Sequence, residues 1–204
     1  MATVSGGKEN FEVERKFKIS VEEHEELPKK LMKLGFRHEG QVHMHDTFLP
    51  TEVEGDMCRV RDETMNDRTK HLLTKKVWVQ IGGNRERKEK EEQISQLVRE
   101  TLLSVGVRLR GSELPFFTKD REMYVRRDDL GRQVTVCLDL TEHLGLYDGT
   151  YMEIEYLIAD EADIESAREG IKKLVQEILG EARAEWELSY MQMLKLSQDQ
   201  KQKR

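Results

Sequence analysis

Apolar and polar residues alternate along most of the chain, and this period of two is typical of β-strands. The first predicted strand runs from Phe11 to Ile19. Seven more strands are predicted near residues 42–49, 56–63, 70–80, 84–92, 116–127, 131–141 and 149–158. Turn-forming residues at Asp129–Gly131 and Tyr147–Gly149 separate the last three strands. The pattern therefore predicts a protein with eight strands.

Four helices interrupt or follow these strands. Ser20 and Glu23 have the spacing of a capping box, which predicts a helix that ends at Gly35. A second helix is expected from Gln93 to Val105, ended by Gly106. Apolar residues at helical spacing predict two further helices, one within 164–178 with Gly180 as its end and one within 186–194.

These elements predict one domain with two short extensions. Residues 1–10 are small and polar, and we expect a disordered leader there. Residues 11–196 form the predicted domain, and residues 197–204 are expected to be a polar tail that is frayed from Gln198 onward.

Charged residues recur on one face of the predicted strands. Glu12, Glu14 and Lys16 share a face of the first strand, opposite Val13 and Phe17. Later strands carry charge in the same way, at Arg59 and Arg61, Lys76, Arg87, Glu89 and Glu91, Lys119 and Arg121, Asp139, and Glu153 and Glu155. One interpretation is a solvated outer face over an apolar core. The other is a closed barrel that gathers these charges inside it, which would suit a polyanion together with hard cations such as Mg²⁺.

Composition limits the function classes. Charged residues make up 36% of the chain, yet 40 acidic and 34 basic residues nearly balance. A protein that binds nucleic acid usually has a basic excess, so we expect no nucleic-acid partner. No apolar run is long enough to span a membrane, so no membrane partner is expected. The two cysteines, Cys58 and Cys137, are typical of reduced thiols, and we expect a cytoplasmic protein.

Several short motifs occur in the order and spacing of a known family. The run Glu12-Val-Glu-Arg-Lys16 has the form E-x-E-x-K, and Asp46-Thr-Phe, Arg59-x-Arg61 and Leu73-Thr-x-Lys76 follow it. This set resembles the CYTH superfamily, the triphosphate tunnel metalloenzymes. The first strand, Phe-Glu-Val-Glu-Arg-Lys-Phe, is similar to that of animal thiamine triphosphatases.

The resemblance implies a fold, an activity and a site. The implied fold is of the α+β class, an eight-stranded antiparallel barrel that encloses a triphosphate tunnel and is braced by helices. The implied activity is metal-dependent hydrolysis of the terminal phosphate of a triphosphate, with Mg²⁺ or Mn²⁺ as cofactor. The phosphate-binding residues would be Lys16, Arg59, Arg61, Lys76, Arg87, Lys119 and Arg121. The metal-binding residues would be Glu12, Glu14, Asp139, Glu153 and Glu155. Glu12, Glu14 and Lys16 would be the catalytic residues of the signature, and Glu89 could bind either group.

Two departures leave the substrate open. Animal thiamine triphosphatases carry a Trp that stacks on thiamine at about the position of Met57, and a Lys that many members carry on the last helix is not evident near Trp186 to Tyr190. The N-terminal match favours thiamine triphosphate, whereas the missing Trp favours inorganic tripolyphosphate or a broad range. Two alternatives are a class IV-type adenylyl cyclase and a non-catalytic protein that binds polyphosphate or nucleotide. We expect a monomer or weak dimer.

Overall fold

A computed structural model describes residues 10–53, 55–81, 84–180 and 182–202, with the backbone alone at residues 10, 78–81, 84–87 and 201–202. Residues 1–9 of the predicted leader lie outside this part of the chain, and Asn10 begins the first strand. None of the described helices is both long enough and apolar enough to cross a membrane.

Eight antiparallel strands close into one barrel, as predicted. The strands are β1 (Asn10–Ile19), β2 (Arg37–Leu49), β3 (Met57–Met65), β4 (Arg68–Ile81), β5 (Asn84–Ile94), β6 (Phe116–Arg127), β7 (Gln133–Glu142) and β8 (Gly149–Ile158). Around the barrel their order is β1-β5-β4-β3-β2-β6-β7-β8, and β8 closes onto β1. Because side chains alternate along each strand, half of them point into the closed interior.

In the described part of the chain, four α-helices accompany the barrel: α1 (Val21–Lys33), α2 (Gln96–Arg110), α3 (Ile164–Leu179) and α4 (Tyr190–Gln202). The predicted capping box of α1 is present, since the Ser20 hydroxyl accepts a hydrogen bond from the Glu23 amide and the Glu23 carboxylate accepts one from the Ser20 amide. The helix α3 ends at Leu179 and is capped by Gly180, the residue predicted to stop it.

The main apolar core lies outside the barrel. Val13, Phe17 and Ile154, on the outward faces of β1 and β8, are buried against apolar residues of α1 and α3 such as Leu31 and Ile171. Covering these faces with helices lets the opposite faces carry charge into the interior. The barrel is therefore apolar outside, where helices pack on it, and polar inside.

The prediction for the helix after β5 was wrong at both ends. The helix α2 begins at Gln96 and continues through Gly106 to Arg110. Gly106 is buried, and a Cβ atom there would lie 3.0 Å from Leu49 and 3.1 Å from Leu114. This glycine therefore allows close packing of the helix, and Gly111, with a φ of 73°, caps it instead.

Other predicted boundaries also differ from the structure. β2 begins at Arg37 rather than near residue 42, because an irregular pairing with β6 between His38 and Gly40 interrupts the alternation. The helix α4 begins at Tyr190 rather than Trp186. The helix α4 continues through residues 197–202 of the predicted polar tail, and Ser197 is buried there beside Gly145.

Candidate active site inside the barrel

The barrel encloses a cavity of about 220 Å³ that is lined mainly by charged side chains. Every predicted site residue whose side chain is described lines it, with the exception of Asp139. The charged lining residues are Glu12, Glu14, Lys16, Arg59, Arg61, Lys76, Glu89, Glu91, Lys119, Arg121, Glu153 and Glu155. The side chain of Arg87, the remaining predicted site residue, is outside the described part. Its backbone, on β5, pairs with that of Trp78 on β4.

The two signs of charge lie on different walls. The neighbouring strands β4, β3, β2 and β6 form the basic wall, which contributes Lys76, Arg59, Arg61, Lys119 and Arg121. The neighbouring strands β8, β1 and β5 form the acidic wall, which contributes Glu153, Glu155, Glu12, Glu14, Glu89 and Glu91, with Lys16 as its one described basic residue. A ligand between them would meet cations on one side and carboxylates on the other.

Asp46 holds the two arginines of β3. It is fully buried, with 0% exposure, on β2 directly opposite Arg61. Arg61 donates from Nε and Nη2 at 2.6 and 2.8 Å, and Arg59 donates from Nη1 at 3.1 Å. Burial alone would raise the pKa of Asp46, but Arg59 and Arg61 hold it well below its usual value. The carboxylate therefore stays charged and fixes the direction of both guanidinium groups. Asp46 belongs to the motif Asp46-Thr-Phe but was not among the predicted site residues.

Asp139 holds the basic pair of β6 in the same way. It is fully buried on β7, directly opposite Arg121. Arg121 donates from Nε and Nη2, each at 2.6 Å, and Lys119 donates at 3.2 Å. Asp139 thus lies behind the cavity lining, with its oxygens occupied by these bases, although the resemblance implied a metal ligand.

Tyr190, on α4, contacts the groups around Asp139, and this role was also not predicted from the sequence. Its hydroxyl donates to Asp139 at 2.8 Å, while the Lys16 ammonium lies 3.6 Å and the Lys119 ammonium 4.9 Å from the ring centroid. These distances permit cation–π attraction. Burial and the negative charge of Asp139 raise the pKa of Tyr190 well above its usual value, so the hydroxyl remains a donor. In the sequence it was one member of an apolar helical stripe.

Several carboxylates of the acidic wall are engaged in ion pairs. Glu153 contacts Lys16 at 3.2 Å and also pairs with Arg121. Lys76 pairs with Glu12 and lies 2.8 Å from Glu89. Burial opposes ionisation of Glu153, but Arg121 and Lys16 lower its pKa well below the usual value. These acids are already balanced by cations.

Glu14 and Glu155 are in the opposite situation. They lie directly across from each other on β1 and β8, and neither forms an ion pair with a described side chain. Burial and the negative charges of Glu153 and Glu12 raise the pKa of Glu14 to about 7. Burial, together with Glu12 and Glu14, raises the pKa of Glu155 to about 8. Such repulsion between buried carboxylates is what a bound cation relieves.

This pair, with Glu12, has the donor chemistry for a hard divalent cation, because Mg²⁺ and Mn²⁺ favour carboxylate oxygens. As the side chains lie, no three acidic, His or Cys groups in the described part of the chain are close enough to form a complete metal site. Flexible glutamate side chains would therefore have to turn toward a cation, and waters or phosphate oxygens would complete its shell.

A family model of the CYTH domain matches residues 10–185. The chain belongs to the CYTH domain family. Among curated proteins, none matches its sequence significantly. The family match confirms the predicted membership, and the closed eight-stranded barrel confirms the predicted fold.

Several solved structures share the fold of this CYTH protein. The PH1819 protein of Pyrococcus horikoshii OT3 is similar with a TM-score of 0.70 and 23% identity, over 91% of this chain and 98% of that chain. The PH1012 protein of the same organism is similar with a TM-score of 0.66 and 19% identity, over 89% of this chain and 98% of that chain. The Hippeastrum protein HpAC1 is similar with a TM-score of 0.57 and 19% identity, over 92% of this chain and 95% of that chain. That protein is described as a suspected adenylyl cyclase with a dominant triphosphatase activity. At these identities the likeness concerns the fold alone.

Proposed function

We propose that this protein is a metal-dependent hydrolase that removes the terminal phosphate of a triphosphate, with inorganic tripolyphosphate, thiamine triphosphate or both as substrate. The observation that carries the proposal is the division of the barrel interior into a basic and an acidic wall. A pure polyanion-binding protein would bind better without the acidic wall, because its carboxylates repel phosphate. Membership of the CYTH family, which includes triphosphatases, supports the same activity.

The basic wall would bind the phosphate chain. Arginines can hold phosphate oxygens with two donors each, whereas lysines act as point charges. Asp46 and Asp139 fix the arginines before substrate arrives, so little reorganisation is needed on binding. In Arg59, the buried Nε has no hydrogen-bond partner among the described residues, and a phosphate oxygen could accept from it.

We assign the metal to Glu14 and Glu155, assisted by the one oxygen of Glu12 that does not pair with Lys76. When bound, a divalent cation supplies charge neutralisation at the phosphates and activation of water. Glu153 and Asp139 are proposed to orient Lys16, Arg121 and Lys119 instead of binding the metal, because their oxygens already accept from these cations. Phosphoryl transfer needs mainly alignment and charge stabilisation, which this arrangement of fixed groups can provide.

Conversion of ATP to a cyclic nucleotide is the alternative within the same family. It would require the ribose hydroxyl to attack the innermost phosphate instead of water attacking the terminal one.

A cytoplasmic location remains our expectation, and the free thiols of Cys58 and Cys137 support it.

The test is a product assay with tripolyphosphate, thiamine triphosphate and ATP, each with Mg²⁺ and with Mn²⁺. We expect release of orthophosphate and a diphosphate, with loss of activity when the metal is chelated. Arg59→Ala and Arg61→Ala should each weaken binding about ten-fold or more, since each removes charged hydrogen bonds. Absence of phosphate release from every substrate, or formation of cyclic nucleotide as the main product, would reject the proposal.

A further inference from the structure

A groove with a volume of about 1330 Å³ lies on the outside of the barrel. Its main walls are residues 125–133 of the β6–β7 hairpin and residues 166–177 of α3, and the end of α1 borders one edge. We call it the outer groove. None of the described residues that line it also lines the charged cavity inside the barrel. The outer groove is therefore separate from the candidate active site.

The floor of the outer groove contains a buried hydroxyl group without a described partner. Tyr156, on the outward face of β8, is 1% exposed and lines the groove. Its hydroxyl forms no hydrogen bond with any described residue, whereas buried polar groups normally have a partner. Burial and the negative charge of Asp128 raise the pKa of Tyr156, so the hydroxyl keeps its proton. A ligand in the groove would supply the acceptor that this donor lacks.

Gly170, in the middle of α3, leaves the Tyr156 hydroxyl uncovered. A Cβ atom at Gly170 would lie 3.0 Å from the hydroxyl oxygen of Tyr156. The backbone of Gly170 does not have a positive φ, so its conformation does not require glycine. Glycine inside a helix costs about 1 kcal/mol relative to alanine, and here the missing side chain keeps the space beside the hydroxyl open.

The charges around the outer groove leave more cations than carboxylates unpaired. Arg127 donates to the backbone carbonyl of Gly131, and Lys173 has no described partner, so neither forms a described ion pair. Of the four described carboxylates that line the groove, only Asp129 has no described ion pair. The other three pair as Asp128 with Arg132, Glu169 with Lys172, and Glu177 with Arg126.

We propose that the outer groove binds a small organic phosphate, with a phosphate oxygen accepting from the Tyr156 hydroxyl while Lys173 and Arg127 balance the charge. Lys173 follows Gly170 by three residues, which places both on the same face of α3. A phosphate monoester carries about −1.5 to −2 charges at pH 7, which matches two unpaired cations better than the single charge of a carboxylate does.

The organic part of the ligand would contact the apolar residues of the same groove, among them Leu34, Leu130 and Leu174. Sites for small organic ligands have volumes of about 300–1,000 Å³, so the outer groove has room for a phosphate together with such a group. The inference does not rest on the proposed function, because it involves no residue of the barrel interior.

The proposal is tested by titrating the protein with phenyl phosphate and, separately, with phenol, while backbone amide signals are followed by NMR. The Gly170 amide reports on the outer groove and the Arg61 amide on the barrel interior. Tyr156→Phe removes only the unpartnered hydroxyl, and Lys173→Ala removes a cation at an exposed position. Lys172→Ala is the matched control, because Lys172 is the exposed neighbour on α3 and does not line the groove.

We expect phenyl phosphate to shift the Gly170 signal saturably and phenol to bind there at least about ten-fold more weakly. Tyr156→Phe and Lys173→Ala should each weaken this binding about ten-fold or more, since each removes a hydrogen bond or ion pair to a charged group. Lys172→Ala should change it less than about two-fold. Shifts confined to amides of the barrel interior, equal binding of phenol, or equal effects of Lys172→Ala and Lys173→Ala would overturn the assignment. Unchanged affinity in both Tyr156→Phe and Lys173→Ala would overturn it as well.

Discussion

Replacing Asp46 with asparagine removes the buried negative charge that Arg59 and Arg61 share. Asparagine has nearly the same shape but keeps only one acceptor oxygen, so most of the three hydrogen bonds from the arginines are lost or weakened. Removing one partner from a buried ion pair costs about 3–5 kcal/mol, because charge is left without compensation. Both arginines border a cavity that can admit water, so we expect the lower end, about 3 kcal/mol.

Thermal and chemical unfolding measure this loss directly. For a protein of this size, each kcal/mol lowers Tm by about 2–4 °C, which gives a decrease of about 6–12 °C. Asp120→Asn is the matched control: Asp120 is on β6, is half-exposed and pairs with His43 at 2.8 Å on the outside of the barrel. Loss of such an exposed pair should cost less than about 1 kcal/mol. Equal effects of the two substitutions would contradict the role given to Asp46.

The pH dependence of the same difference is a second check. The pKa of Asp46 is depressed in the folded state, so its stabilising contribution is present above the unfolded-state pKa of about 3.9 and is lost as pH falls toward the folded-state value. The stability difference between the unaltered protein and Asp46→Asn should therefore be constant between about pH 5 and 9 and shrink below about pH 4. A difference that instead disappears at alkaline pH would mean that Asp46 is not held ionised by the arginines.

Five further predictions concern the cation, α4 and the substrate. Glu155→Gln should abolish turnover while tripolyphosphate binding, followed by calorimetry, survives in part; unchanged turnover would exclude Glu155 from the metal site. Because the pKa values of Glu14 and Glu155 are raised to about 7 and about 8, protons must leave before a cation binds, so Mg²⁺ affinity should increase from about pH 6 to 9. Because both pKa values are raised from 4.5, the metal-free protein should lose stability as pH rises from about 4.5 to about 8, and a flat profile over this range would contradict the repulsion. Tyr190→Phe removes the donor to Asp139 and should lower the free energy of unfolding by about 1.5–3 kcal/mol; an unchanged denaturation midpoint would argue against this hydrogen bond. Met57→Trp should shift the ratio of kcat/KM values toward thiamine triphosphate by less than about 2 kcal/mol, and a strong preference for that substrate before the substitution would show that another group already recognises thiamine.

The strands were predictable from the sequence because the barrel interior is polar, whereas closure into a barrel was implied by the family resemblance, since alternation alone also fits a solvated outer face. In an ordinary barrel core the inward residues are apolar, but here Glu12, Glu14 and Lys16 alternate with apolar residues that face the helices. The same alternation identified the acidic and basic strands. The boundaries of β2 and α2 were less predictable, since an irregular pairing and a packed glycine each resemble the end of an element.

The roles of individual acids could not be predicted, because they depend on which cation lies opposite. Asp139 and Glu153 have the same sequence signal as Glu155, an acid on the inward face of a strand. In the structure the first two accept from Arg121, whereas Glu155 has no described ion-pair partner. Asp46 and Tyr190 were missed for a related reason: an isolated Asp in a strand and a Tyr in an apolar stripe acquire their roles only through tertiary contacts.

Closure of the barrel between β1 and β8 has a consequence for how the protein folds. β1 pairs with β8 from Phe11 to Ile19, but with β5 only from Asn10 to Glu12, so its main partner comes from the far end of the barrel sequence. Contacts of such high sequence separation form late and slowly, because the intervening chain must be ordered first. Glu14 and Glu155 meet across this junction. During synthesis, the hairpins of the basic wall can pair before β8 is available, and the proposed cation site is completed only when the two ends of the barrel join.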